Sequence, residues 1–200
     1  MKLLPEIKKN RKPEYEINPL ILNRHSLRAM SGEPLSEEEL LPLFEAAKWA
    51  PSSFNNQPWR FIYAERNSKH WNAFFNLLNE GNKSWCKNAG VLVVMISRKT
   101  MEFKEKPNPT HSFDAGAAWE NLALEATSRG LIAHGMVGFD YEKARKELKI
   151  PGNFQVEAMC AIGKKGKKKD LPENMREMET PNGRKKLKEI IMEGKFKENK

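Results

Sequence analysis

Ala89-Gly90-Val91-Leu92-Val93-Val94-Met95-Ile96 is the most apolar run of the chain. It is far shorter than the ~20 residues a membrane span needs, and its branched residues suit a strand. Apolar side chains at successive positions predict burial on both faces, as in a sheet covered by helices above and below. Working outward, Trp59-Arg60-Phe61-Ile62-Tyr63 alternates and is rich in aromatic and branched residues, which predicts a second strand. Val156 to Ile162 predicts a third. Ser36 and Glu39 form a capping box that opens a helix with Leu40, Leu43, Phe44 and Ala47 on one stripe. Pro42 should loosen its first turns, and Pro51 ends it. Residues 68–79 place Trp71, Phe74, Phe75 and Leu78 on one helical face, and a short helix is expected around Leu20-Ile21-Leu22. Ser112 to Arg129 is small or apolar nearly all round, which predicts a helix buried in the core or against a second subunit, stopped by Gly130. Asp140 to Leu148 predicts one more helix. Irregular alternation of helix and strand gives a mixed α and β class, with a central sheet between helical layers.

The 200 residues fit one domain of ordinary size, with 39% hydrophobic and 30% charged residues. Mean hydropathy is -0.71, polar for a globular protein, yet Leu, Ile, Val and Phe are spread throughout. Cys86 and Cys160 belong to no metal-spacing motif and, without an apolar leader, point to a reducing cytoplasm. Both read as buried small apolar residues. The net charge of +9 invites a polyanion as partner, but its distribution speaks against one. Residues 1–12 hold five basic and one acidic residue, and residues 163–200 hold thirteen and seven. The body between them, with seventeen basic and eighteen acidic residues, is nearly neutral. Neither basic end interleaves aromatics with Lys and Arg as a nucleic-acid face does, apart from Phe196. The expectation is a soluble cytoplasmic protein that binds neither nucleic acid nor membrane. Residues 1–12 are expected as a flexible basic arm, residues 13–200 as one domain with a C-terminal extension, and Lys164 to Lys169 as a solvated loop.

Three clusters carry chemistry. Arg24-His25-Ser26-Leu27-Arg28 sets two guanidiniums four positions apart with a hydroxyl between them, which suits an anion such as a phosphate. A solvated basic turn would use the same residues. Ala50-Pro51-Ser52-Ser53-Phe54-Asn55-Asn56-Gln57-Pro58-Trp59 packs hydroxyls and amides between two prolines, a rigid frame for gripping a polar heterocycle. An ordinary surface connection is the plainer account, although three large aromatics in residues 49–61 should pin the loop. His134-Gly135-Met136-Val137-Gly138-Phe139-Asp140 reads as a glycine loop into an Asp-capped helix. Its glycines would let backbone approach a flat ligand.

In this order, and with Asp114, Gly116, Ala118, Asn121 and Leu124 on the long helix, the clusters resemble the FMN-dependent nitroreductase family from about residue 20 to 195. The Ser-Ser-x-Asn-x-Gln-Pro-Trp segment is the most specific part. The resemblance implies an α+β fold: a three-layer α/β/α sandwich whose mostly antiparallel sheet is flanked by helices, in a homodimer built on the long buried helix. It implies that Arg24, His25, Ser26 and Arg28 grip the flavin phosphate and pyrimidine side. Pro51, Ser52, Ser53, Asn55 and Gln57 would reach the flavin of the neighbouring subunit. Gly135, Met136, Val137 and Gly138 would cover the isoalloxazine near N5, and Arg184 with Lys185 would close on the phosphate. Asn82 and His134 fall near this site. Val137 departs from the pattern, since many relatives carry an acidic residue there.

The implied activity is ping-pong hydride transfer from NADH or NADPH through flavin N5 to a nitroaromatic, quinone or similar planar acceptor. The flavin carries the electrons, so no catalytic side chain and no metal is required of the protein. Reductive dehalogenation or reduction of an activated alkene on the same flavin stays open, as does the remote alternative of a basic nucleic-acid-binding protein. Residues 99–111, with a loop expected from Lys104 to Thr110, are the only insertion that could serve as a dehalogenase-like lid, and they look too short.

Overall fold

Alternation along the central strand sorts the core into two layers. In the computed structural model, which describes residues 1–103 and 106–197, strand β2 spans Val91–Arg98. Its Val91, Val93 and Met95 enter one apolar cluster, and Leu92, Val94 and Ile96 enter the other. Strand β1 (Trp59–Glu65) lies on one side of β2 and β4 (Phe154–Lys164) on the other, with β3 (Leu131–Met136) beyond β4. The four-stranded sheet therefore runs β1-β2-β4-β3, and every pairing is antiparallel. Met95 pairs with Ala158 and Ile96 with Val156, so Glu157 is the extra residue of a β-bulge.

Helices cover both faces, as a strand apolar from Val91 to Ile96 requires. Helix α3 (Glu37–Lys48) and helix α6 (His111–Ser128) cover the first face through Leu40, Leu43 and Ala47, and Ala115, Ala118, Leu122 and Ala126. The Ser36–Glu39 capping box forms in full, and Pro42 is accommodated inside α3. The second face carries α4 (Trp71–Phe75), α5 (Glu80–Cys86) and α7 (Tyr141–Glu147), with Phe74, Trp85, Cys86 and Ala144 packed inward. Both cysteines are free and fully buried, and burial pushes both thiols up in pKa. Among the described residues no helix is long and apolar enough to cross a membrane, and no group of three or more His, Cys, Asp or Glu could hold a metal ion.

Four expectations are corrected. The helix expected over 68–79 is shorter, since α4 covers only Trp71–Phe75; Leu78 then bridges Phe139, and Asn79 accepts from Asn82 N–H to cap α5, which begins at Glu80. Gly135 and Met136 do not belong to a loop: they end β3, where the ladder to β4 pairs Gly135 with Cys160 and Met136 with Met159. The first dozen residues are not a free arm. They form α1 (Pro5–Asn10), whose Ile7 is fully buried and whose following residue, Arg11, is held by backbone carbonyls. The lysine run is not wholly a solvated loop either, since Lys164 closes β4 and Lys165 bridges Met30. The short helix near Leu20 is α2 (Pro19–Asn23), and the C-terminal segment adds α8 (Glu173–Arg176). Lys104, in the expected loop and lid, lies outside the described residues.

Candidate functional site

The segment Arg24 to Met30 follows α2 without forming a helix, so its backbone groups must find partners elsewhere. Side chains from distant parts of the chain supply them. Glu179, buried, accepts from Arg28 N–H at 2.8 Å and Ala29 N–H at 3.1 Å. His134 Nδ1 lies 3.0 Å from Leu27 O, and Arg11 Nη1 donates to Leu22 O and Arg24 O at 2.6 and 2.8 Å. A carbonyl can only accept, so Nδ1 of His134 carries a proton. Burial, with lesser contributions from Arg28 and Arg24, lowers the His134 pKa to about 4 despite the Leu27 hydrogen bond. The ring is therefore neutral at pH 7, and it packs 4.7 Å from the Trp85 ring.

Held in this way, the segment forms one wall of a cavity of about 600 Å³. Arg24, Ser26 and Arg28 line it together with His134 and the whole of Gly135, Met136, Val137 and Gly138. Trp119, Met95 and Ala158 add apolar surface, and Asn79 and Asn82 add amides. Two glycines are needed for this shape. A Cβ on Gly138 would come within 2.6 Å of the Asn79 and Asn82 amide nitrogens, and one on Gly135 within 3.1 Å of the Trp119 ring. Asn82 Nδ2 also donates to Gly138 O at 3.0 Å, and Trp85 Nε1 donates to Asn82 Oδ1. Val137 is 74% exposed at the mouth.

The charge of the cavity is cationic. Arg24 has one loose ion pair, 3.8 Å to Glu120, and the Arg28 guanidinium sits 6.0 Å over Trp85 with no ion pair among the described residues. A largely preformed cavity with apolar walls and two underused guanidiniums suits a flat ligand with an anionic end.

The other residues expected at the site lie elsewhere. His25 does not line the cavity; its Nδ1 is 3.2 Å from Asn23 O, and burial lowers its pKa. Arg184 and Lys185 line a second cavity of about 880 Å³, which adjoins the first because both include Arg24 and Glu120. Pro51, Ser52, Ser53, Asn55 and Gln57 reach neither cavity of this chain. Their loop is tied by Ser53 N–H to Asp114 Oδ2 at 3.2 Å and by Gln57 N–H to Ser52 Oγ at 3.0 Å. Phe54, Asn55 and Gln57 all have positive φ, a costly conformation for residues with a Cβ.

Several site residues escape sequence reasoning. Trp119 falls in the small and apolar stretch 112–129, where it reads as core or interface, and Glu179 and Arg11 fall in the charged ends outside any motif. Only the small residue at 135, opposite a large one on the long helix, signals Trp119.

Comparison with known proteins follows this geometry. A family model described as "Nitroreductase family" matches residues 21–80 and 64–164. A solved structure titled as an oxidoreductase containing FMN is 46% identical, covers 94% of this chain and 97% of its own, and superposes with a TM-score of 0.90. An FMN-dependent nitroreductase from Clostridium difficile is 26% identical, covering 72% and 84% of the two chains with a TM-score of 0.60. A protein of Archaeoglobus fulgidus, provisionally named NADH dehydrogenase/NAD(P)H nitroreductase, is 27% identical over 158 residues, 77% of this chain and 88% of its own.

Proposed function

Because the chain belongs to the nitroreductase family, we propose that it is an FMN-dependent oxidoreductase passing hydride from NADH or NADPH to a nitroaromatic, quinone or similar planar acceptor. The observation that carries this reading is the convergence of Arg24, Ser26, Arg28 and Gly135 to Gly138 on one cavity. The residues present fit the cofactor: two guanidiniums answer a phosphate, and two glycines remove the side chains that would block a flat ring. Bound there, the flavin supplies the redox chemistry at N5, in two half-reactions of a ping-pong cycle. The chain's own work is to bind and orient. Arg24 and Arg28 hold negative charge, Asn82 fixes the Gly138 carbonyl, and neutral His134 keeps the wall polar without adding a third cation.

The working unit is a homodimer in which the Pro51 to Gln57 loop completes the neighbour's site. The loop's separation from both cavities, its backbone strain and its exposed Phe54 support this. So does the uncovered face of α6. There Phe113 is 81% exposed, and Gly116 has open space where a Cβ would point, so a second helix could approach closely. His25, Arg184 and Lys185 belong to the phosphate end.

An absorbance spectrum of the purified protein, followed by anaerobic titration with each nicotinamide, tests the reading. A flavin spectrum that bleaches on titration is the expected result. Protein that neither carries nor takes up FMN refutes it. Sedimentation at micromolar concentration should give twice the 23.0 kDa chain mass, and a monomer would remove the shared-site part.

A further inference from the structure

Arg11 lies ahead of the residues matched to the family, yet it is the most constrained arginine of its region. It is only 8% exposed. Nη1 donates to Leu22 O and Arg24 O, and Nε donates to Asn182 O at 3.1 Å. Nη2 is buried without a partner. One planar guanidinium thus ties the backbone of Arg24 to the turn that carries Arg184, whose own Nη1 is held by Asn182 Oδ1 and Gly183 O. A lysine has no rigid fork with which to span three carbonyls.

The second cavity is lined by Arg11, Arg24 and Arg184 together with Lys12, Lys185 and Lys186, six cations against the two carboxylates of Glu14 and Glu120. Among the described residues, the only ion pair made by any of the three arginines is the loose one from Arg24 to Glu120. Cations gathered so closely repel one another unless an anion joins them. Burial first, then Arg184 and Arg24, hold the Arg11 pKa below its ordinary value.

We propose that Arg11 is a positioning residue for the anionic end of the bound flavin. It clamps the Arg24 and Asn182 carbonyls so that Arg24 and Arg184 converge on one phosphate, and it adds its own charge behind them. The inference rests on the flavin reading above and assigns the N-terminal segment a part in cofactor retention.

Riboflavin, which has the same ring system without the phosphate, separates this role from a general one. Dissociation constants for FMN and riboflavin are measured by fluorescence quenching on the full chain, in wild type, Arg11→Met and Arg11→Lys. Wild type should prefer FMN. Arg11→Met should weaken FMN on the order of tenfold or more while riboflavin moves less than about twofold. Arg11→Lys, which keeps the charge and loses the fork, should fall between wild type and Arg11→Met for FMN. Equal weakening of both flavins would make Arg11 merely structural and overturn the inference; unchanged FMN affinity would overturn it too. Should Arg11→Met fail to fold, Arg11→Lys decides on the same two readouts. Wild-type protein that binds neither flavin would overturn the flavin reading, and with it this one, whereas a failure confined to the variants touches Arg11 alone.

Discussion

Two irregular segments of similar length meet opposite fates in this chain. The Arg24 to Met30 stretch has no regular structure, yet its backbone is held by Glu179, His134 and Arg11. The Pro51 to Pro58 loop is tied to Asp114 and, through buried Asn56, to Thr100 O and Glu102 N–H, and it carries three positive-φ residues and an 81% exposed phenylalanine. One is finished within the chain. The other is held in a costly shape yet reaches neither cavity of its own chain, as a segment serving another subunit would. Disturbing the first should therefore damage the fold most, and disturbing the second should damage function at a smaller cost to the fold.

The largest effect expected is a pH dependence. The folded-state pKa of His134, about 4, lies below its ordinary value of 6.5. The unfolded chain therefore takes up the proton first, so the stability linked to this ring is fully present above pH 6.5 and is lost as pH falls towards 4. The total is roughly 3 kcal/mol. Urea midpoints measured from pH 7 to 4 should show that decline, and His134→Gln should flatten it. An equal decline in the variant would assign it to other groups.

Next in size is Glu179→Gln. The two N–H groups use different carboxylate oxygens, and in glutamine one of these becomes an NH2 donor and the charge is lost, so about 2 kcal/mol should go with it. Equilibrium urea unfolding measures it. A cost below about 0.5 kcal/mol would show that the segment is held by something else.

In the loop, Ser52→Ala removes the acceptor for Gln57 N–H and should cost about 1 kcal/mol by the same measurement. Gln57→Gly has the smallest effect on the fold, and its sign is reversed. Glycine accepts φ of +46° freely, so thermal stability should hold or rise by about 0.5 kcal/mol. Flavin affinity should fall in the same variant. A Gln57→Gly protein that loses stability and keeps its flavin would erase the contrast between the two segments.

How much of this was legible in sequence follows from where each element draws its stability. Strand β2, helix α3 and helix α6 announce themselves because their own residues specify them: an apolar run, a capping box, a small-residue stripe. Strand β3 does not. Gly135 and His134 are poor strand formers, and Leu131 to Met136 is extended because β4 offers it a ladder. The break between α4 and α5 likewise depends on the Leu78–Phe139 bridge, a contact no local pattern encodes. At the site, Arg24, Ser26, Arg28 and the two glycines are legible as a motif. Arg11 and Glu179 are not, since one charged residue near either end of a chain looks like any other until the fold brings it inward.

The bond from Arg28 N–H to Glu179 has a consequence in time. Its partners are 151 positions apart. At ribosomal speeds of about 5–20 residues per second, the carboxylate is made roughly 8 to 30 s after the amide it must satisfy. His134 follows Leu27 by 107 positions, so the Arg24 to Met30 stretch lacks two of its three fastenings until that histidine is made and one until Glu179 is made. The wall that Arg24, Ser26 and Arg28 give to the cavity is therefore finished only once the C-terminal segment has been made.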